Sequence, residues 1–418
     1  MSEPRKRLIL CFDGTWNALK SHTNVSRLYA EIADASCGVA QQRKFYDEGV
    51  GTGRFDRLRG GMFGYGLDKN IRTGYAWLAS QFEASGKMPA PEHPTGGPFV
   101  DGQDVYLFGF SRGAFTARSL GGLVNYLGIP KIDRGKLRAN VSLSDHEAIR
   151  QAWDLYQNCP SAEERQKPGS NDKDIAAHTA AVDAFRENAH YPVRLHFVGV
   201  WDTVGALGIP NVWDSVELRF SSKYRFHDTS LGASVRNAYH AVAIDEHRLP
   251  YTPALWTSST PLTERVEQRW FPGAHSNIGG GYEDDLLPAP PLRWLAARAA
   301  ACGLRFINQR KLADGDEVPA VFDLDGREYL SPVRDSYAEF MGGAYRVVRS
   351  MPGAGGRVYR RMLVAEDGIN QTIDPTAFAK WRADPDYRPP NLGQAGRADM
   401  TFHAAAGGAD HVVSAGNL

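Results

Sequence analysis

The chain has 418 residues, of which 42% are hydrophobic, 11% aromatic and 23% charged. That composition excludes disorder, collagen-like repeats and coiled coil as overall readings. Lys and Arg total 48, Asp and Glu total 48, and the resulting formal net charge of zero argues against broad capture of nucleic acid or of an anionic membrane. At roughly 100–200 residues per domain, the length allows two to four domains or one large α/β domain with insertions. Cys11, Cys37, Cys159 and Cys302 form no C-x-x-C pair, so neither a zinc knuckle nor a disulfide scaffold is indicated. No run reaches about 18 apolar residues, and the apolar run at residues 8–12 is too short for a signal peptide. The expectation is a protein without a transmembrane segment or a standard export signal, cytoplasmic as synthesised.

Residues 8–12 predict a buried strand, stopped by Asp13-Gly14-Thr15. Residues 49–66 are rich in glycine and carry Phe55, Met62, Phe63 and Tyr65. They predict a mobile loop that meets the substrate, with burial of the same side chains in the core as an equal alternative. Residues 67–84 predict a helix on the spacing of Ile71, Tyr75, Leu78 and Phe82. Residues 88–102 read as a connector, 105–109 as a second buried strand and 114–127 as an amphipathic helix.

Residues 131–192 are polar and helix-prone, broken at 168–171, and predict a helical insertion or cap. Strands follow at 193–200 and 266–271. Strands alternating with helices predict an α/β fold with a mostly parallel central sheet, its core spanning 1–300. From 301 the pattern loosens, and 301–418 is expected to be an extension packed on that core. Within it, 383–396 reads as a loop because of Pro385, Pro389 and Pro390.

Gly109-Phe110-Ser111-Arg112-Gly113 fits G-x-S-x-G between a predicted strand and a predicted helix. Such a turn thrusts a serine hydroxyl out at the top of an α/β-hydrolase sheet. The bland reading is a serine that caps the helix. A nucleophilic serine needs a base and the base an orienting acid, in the chain order Ser, Asp or Glu, His. Asp202 ends the strand at 193–200, although a strand-end Asp also suits an Asx turn. Among the later histidines, only His275 directly follows a predicted strand and precedes a glycine run, Gly279-Gly280-Gly281. His240 and His247 flank a helix-like segment and read as structural or rim residues. Glu246 and Asp245 are the next candidates for the acid.

Asp13-Gly14-Thr15 is similar to part of a phosphatase motif whose nucleophilic Asp is replaced here by Cys11, so that chemistry is lost. The alternative is the loop that supplies an oxyanion-hole N–H, from Gly14 or Thr15, to pair with that of Arg112. Gly49-Val50-Gly51-Thr52-Gly53 matches no nucleotide fingerprint. Glu283-Asp284-Asp285 reads as a solvated loop rather than a cation site.

Four blocks together resemble one family of mostly bacterial α/β hydrolases that includes type VI secretion phospholipase effectors. The blocks are residues 10–17, 109–118, 198–205 and 270–282, LCFDGTWN, GFSRGAFTAR, VGVWDTVG and WFPGAHSNIGGGY. The resemblance implies Ser111 as nucleophile, Asp202 as acid and His275 as base, in agreement with chain order. Two positions depart from it: Asn277 and Ala289 stand where the family often has Asp. The resemblance implies lipid or phospholipid esters as substrates, while the triad mechanism runs through an acyl-enzyme and needs no metal or organic cofactor. For an effector it also implies delivery into another cell and a secretion-apparatus or immunity protein as partner. The alternatives are a soluble carboxylesterase or thioesterase without lipid preference, and a non-catalytic scaffold of the same fold.

Overall fold

The computed structural model describes the chain apart from residues 1–4, 15–16, 18, 40, 50–62, 96, 133–141, 161–171, 206–228, 283–284, 312–314, 320–321, 323–324, 351–354, 361, 365–366, 398–401, 407–408 and 414–418. Eight strands form one sheet: β1 (Arg7–Phe12), β2 (Gln42–Asp47), β3 (Ala84–Glu92), β4 (Pro98–Phe110), β5 (Val193–Trp201), β6 (Asn237–Ala243), β7 (Arg265–Phe271) and β8 (Gln371–Ile373). Their order is β8-β7-β6-β5-β4-β1-β2, all parallel, with β3 antiparallel on β4. This is the α/β fold expected from the alternating pattern.

Strand β1 and the carboxyl halves of β4 and β5 are almost wholly apolar because both faces are covered. Leu8, Leu10 and Phe12 of β1 enter the core on one face, and Ile9 and Cys11 enter the core on the other. The first core is closed by α2 (Phe63–Gln81) and α3 (Arg112–Leu127), with Ile71, Tyr75, Leu78, Leu120 and Val124 buried. Two helices from the 131–192 region, α4 (Glu147–Gln157) and α5 (Asp172–Glu187), add Ile149, Trp153, Val182 and Phe185 to it. The second core is closed by α1 (Asn24–Glu31) and α7 (Ala289–Ala301), through Val25, Leu28, Leu292 and Leu295. A third joins Val242, Ile244 and Trp270 to Met362, Ile373, Phe378, Tyr387 and Leu392. The later part of the chain, including α8 (Pro375–Ala383) and α9 (Pro390–Arg397), thus packs on the β6–β7 end of the sheet.

Four local expectations are corrected. The connector at 88–102 is the β3–β4 hairpin, in which glycine and proline tolerate an edge strand and its irregular register. His240 lies inside β6, where every residue is buried, so the helix-like periodicity around it comes from a two-sided strand. The loop at 383–396 contains α9, whose first residue is Pro390, the helix position that tolerates a missing N–H. Helix α2 starts at Phe63, so Phe63 and Tyr65 stand on a helix rather than a loop. Phe55 and Met62 lie outside the described residues.

Register aligns the carboxyl ends of the strands. Phe12 pairs with Gly109, Phe110 with Trp201, Trp201 with Ala241, and Ala243 with Phe271. The residues that follow these ends therefore share one edge of the sheet, where α/β proteins collect their ligand sites. A short helix, α6 (His275–Gly279), follows β7 on this edge. Asn24, fully buried, ties it down: its Nδ2 donates to the carbonyls of Ile278 and Pro288, each at 2.8 Å. Asn24→Ala is expected to strand both carbonyls and lower stability by about 2–4 kcal/mol. The check is a reduced midpoint in urea unfolding with an unchanged slope.

Candidate active site

The turn after β4 is built by close approach. A side chain on Gly109 would meet the Gly113 carbonyl oxygen at 2.4 Å, and one on Gly113 would meet the Phe12 carbonyl oxygen at 2.1 Å. Both positions therefore require glycine, and the turn lies against the end of β1. Ser111, between them, has φ 58° and ψ −121°, a strained backbone for a residue with a side chain. Its hydroxyl makes no capping bond to α3, so the helix-cap reading does not describe it. Its N–H donates to the Trp201 carbonyl at 3.0 Å, joining the turn to β5.

Three side chains from three strand ends meet there. His275 Nε2 lies 2.8 Å from Ser111 Oγ, and His275 Nδ1 lies 2.6 Å from Asp202 Oδ2. With Nδ1 protonated toward the carboxylate, Nε2 is left to accept from the hydroxyl. The rings of Phe110 and Tyr251 both pack against the imidazole, with centroids at 4.8 and 4.9 Å. Burial pushes the His275 pKa below its ordinary 6.5, although the Asp202 bond and charge pull it upward.

Asp202 is fully buried and also sits at positive φ, 36°. Burial alone would raise its pKa, but the Arg360 guanidinium and the His275 bond outweigh burial and hold the carboxyl well below the usual range. The Ala243 N–H donates to Oδ1 at 3.0 Å. Backbone support comes from His240, whose Nε2 accepts the Thr203 N–H at 3.0 Å and whose pKa falls to about 3, mainly through burial. Of the two readings, structural or rim, full burial on a strand leaves no place at the rim for His240.

The rival acids have other partners. Asp245 Oδ2 accepts from the Gly273 N–H and from Tyr387 Oη, at 2.7 and 3.0 Å. Glu246 is bound in bidentate fashion by Arg248, at 2.8 and 2.7 Å, and also accepts from Ser336 Oγ and the His275 N–H. Glu246 thus holds the backbone of His275 rather than its ring. Arg360, Tyr251 and the Glu246–Arg248 pair were not read from the sequence, because no motif or spacing marks them.

The oxyanion expectation needs revision at one residue. The Gly14 N–H is committed to Asp13 Oδ1 at 2.6 Å. Asp13 is buried, which raises its pKa to about 6, and it also accepts from Thr23 Oγ1 and Tyr46 Oη. Gly14 is therefore part of the scaffold of this loop, and Thr15 lies outside the described residues. Arg112 occupies the first position of α3, where the helix itself offers no acceptor for the backbone N–H.

The two departures from the family pattern also have places. Asn277, fully buried, accepts the Ala274 N–H at 2.9 Å and donates to Asp285 Oδ2 at 2.8 Å. Asp285 is thus tied into the turn that carries His275 rather than simply solvated, while Glu283 and Asp284 lie outside the described residues. Ala289 is the first residue of α7. Among the described residues no cluster of His, Cys, Asp and Glu could hold a metal ion, and no helix is long and apolar enough to cross a membrane.

A Saccharomyces cerevisiae protein, YEL023C, described as uncharacterized, is 27% identical over 322 residues, covering 70% of this chain and 39% of the yeast protein. The chain thus spans about two fifths of the length of that curated relative. An uncharacterized Pseudomonas aeruginosa protein of known structure aligns over 72% of this chain and 46% of its own, at 16% identity and a TM-score of 0.39. The Tle1 effector, solved bound to the VgrG spike of the type 6 secretion system, aligns over 67% of this chain and 52% of its own, at 17% identity and a TM-score of 0.31. Residues 6–298 match the model of the Tle1-like type VI secretion phospholipase effector catalytic domain, and that span takes in Ser111, Asp202 and His275. The chain belongs to the Tle1-like phospholipase effector family.

Proposed function

We propose that the chain is a serine hydrolase that cleaves carboxylic esters of phospholipids through an acyl-enzyme. The observation that carries the reading is the continuous hydrogen-bonded path from Ser111 Oγ through the His275 ring to Asp202. Ser111 Oγ attacks the ester carbonyl while His275 Nε2 takes its proton. Backbone N–H groups, with that of Arg112 foremost, stabilise the oxyanion. His275 then protonates the leaving alcohol, and water releases the acyl group by the same steps in reverse. Asp202 keeps the imidazole in the required tautomer and compensates the imidazolium charge.

Membership of the effector family supports a phospholipid substrate, delivery from the producing cell into another, a secretion-apparatus component as carrier and an immunity protein as guard. Hydrolysis that rises sharply at a dispersed long-chain lipid, compared with a short soluble ester, separates this reading from a general carboxylesterase or thioesterase.

Ser111→Ala is expected to cut kcat by roughly 10⁴–10⁶-fold and abolish fluorophosphonate labelling while the fold stays intact. Persisting turnover and labelling in that variant exclude Ser111 as nucleophile. Asp202→Asn is expected to cost about 10⁴-fold in kcat by favouring the wrong imidazole tautomer. Combining it with His275→Ala should cost far less than the product of the two single losses. A near-normal Asp202→Asn enzyme places the acid elsewhere. The base must be neutral to act, so kcat/KM is expected to fall as pH drops through the His275 pKa, with its midpoint below 6.5. A midpoint clearly above 6.5 contradicts the buried-base assignment.

A further inference from the structure

We infer that Arg360 is the positioning residue that sets both the aim of the Asp202 carboxylate and the proton affinity of the His275–Asp202 couple. The inference rests on the reading of Ser111, His275 and Asp202 as a relay. Arg360 lies outside residues 6–298, in the part of the chain beyond the matched catalytic domain.

The geometry is that of a fork. Nη1 donates to Asp202 Oδ1 at 2.6 Å and to the Ala243 carbonyl at 2.8 Å. Nη2 donates to Asp202 Oδ2 at 3.1 Å and to the Tyr251 carbonyl. One planar group thus spans both carboxylate oxygens and two backbone carbonyls, a pattern that an ammonium cannot reproduce. Together with the Ala243 N–H, the fork occupies Oδ1 and turns Oδ2 toward the imidazole. The carbonyl of Arg360 accepts from Asn391 Nδ2 at 3.3 Å, and the same amide donates to the Ile244 carbonyl at 3.0 Å. The fork is therefore anchored to the strand end whose neighbours it contacts.

Charge makes the same point. Asp202 has no exposed surface, and the Arg360 side chain is only 4% exposed. Without a cation in contact, a fully buried carboxylate protonates or loses its place. Among the described residues, the other charged or titratable groups facing the couple include Glu246 and Arg248 on the His275 side, Tyr251 with its ring against the imidazole, His240 behind Thr203, and Asp245 beside Arg360. Within this set, Arg360 is the cation in direct contact with Asp202.

The test compares the intact chain with Arg360→Gln and Arg360→Lys. Two readouts are used: the pH dependence of kcat/KM on a p-nitrophenyl ester, and an NMR titration of the His275 ring. Removing the positive charge makes the couple hold its proton more tightly. Arg360→Gln is therefore expected to raise the His275 titration midpoint and the acidic limb together by about 1–3 pH units, and to lower kcat/KM by roughly 10²-fold through loss of aim. Arg360→Lys keeps the charge and loses the fork, so the midpoint should stay near that of the unsubstituted chain while kcat/KM falls. An unmoved His275 midpoint in Arg360→Gln overturns the inference, as does an Arg360→Lys enzyme equal in rate to the unsubstituted chain. If Arg360→Gln does not fold, the Lys variant alone decides the positioning role. Absence of fluorophosphonate labelling at Ser111 in the unsubstituted chain is a failure of the hydrolase reading instead. The NMR titration judges Arg360 even in that case.

Discussion

A carboxylate sealed from water has to be neutralised by its immediate surroundings, and Asp202 is such a group. The surroundings are drawn from residues 41 to 158 positions further along the chain. Arg360 brings a full positive charge, His275 a ring N–H, and Ala243 a backbone N–H. These partners lie at separate strand ends and in the later part of the chain. Their convergence requires that the sheet, the turn that carries His275 and the segment around residue 360 hold one arrangement. Local geometry around Asp202 is also unfavourable, since its backbone occupies the left-handed region. The hydrogen bonds to its side chain oppose that strain.

The sheet supplies precision by register. Five adjacent parallel strands finish at one edge, so short turns deliver side chains that are far apart in sequence. The turn at Ser111 is tight, with Gly113 pressed on the Phe12 carbonyl. The loop after β1 is organised from beneath by Asp13, which gathers the Gly14 N–H and the hydroxyls of Thr23 and Tyr46. A rigid floor under a strained serine is the arrangement expected of a preorganised site.

Much of this was legible in sequence because it depends on local rules. Apolar runs stopped by turn residues mark β1, the inner half of β4, β5 and β7. The G-x-S-x-G spacing marks a turn that only glycine permits, and chain order then selects Asp202 and His275. The unread parts depend on long-range context. Strand β6 carries an unbroken buried pattern that periodicity does not separate from a helix. Pro390 looks like a breaker until it is seen as the first residue of a helix. Gly14 has the right position for an oxyanion donor, yet the carboxylate beside it takes its N–H. Arg360 is one arginine among many, and nothing around it in sequence announces a partner 158 residues away.

That separation also has a meaning in time. The Ser111 turn is made early and Arg360 is made 249 residues later (360 minus 111). At about 5–20 residues per second, ribosomal synthesis puts roughly 10–50 s between them. During that interval the growing chain already holds its hydroxyl but lacks the cation that sits against Asp202. His275 itself appears 164 residues after the serine, still ahead of Arg360. The fork on Asp202 therefore closes only after the segments that carry Ser111, Asp202 and His275 have all been synthesised.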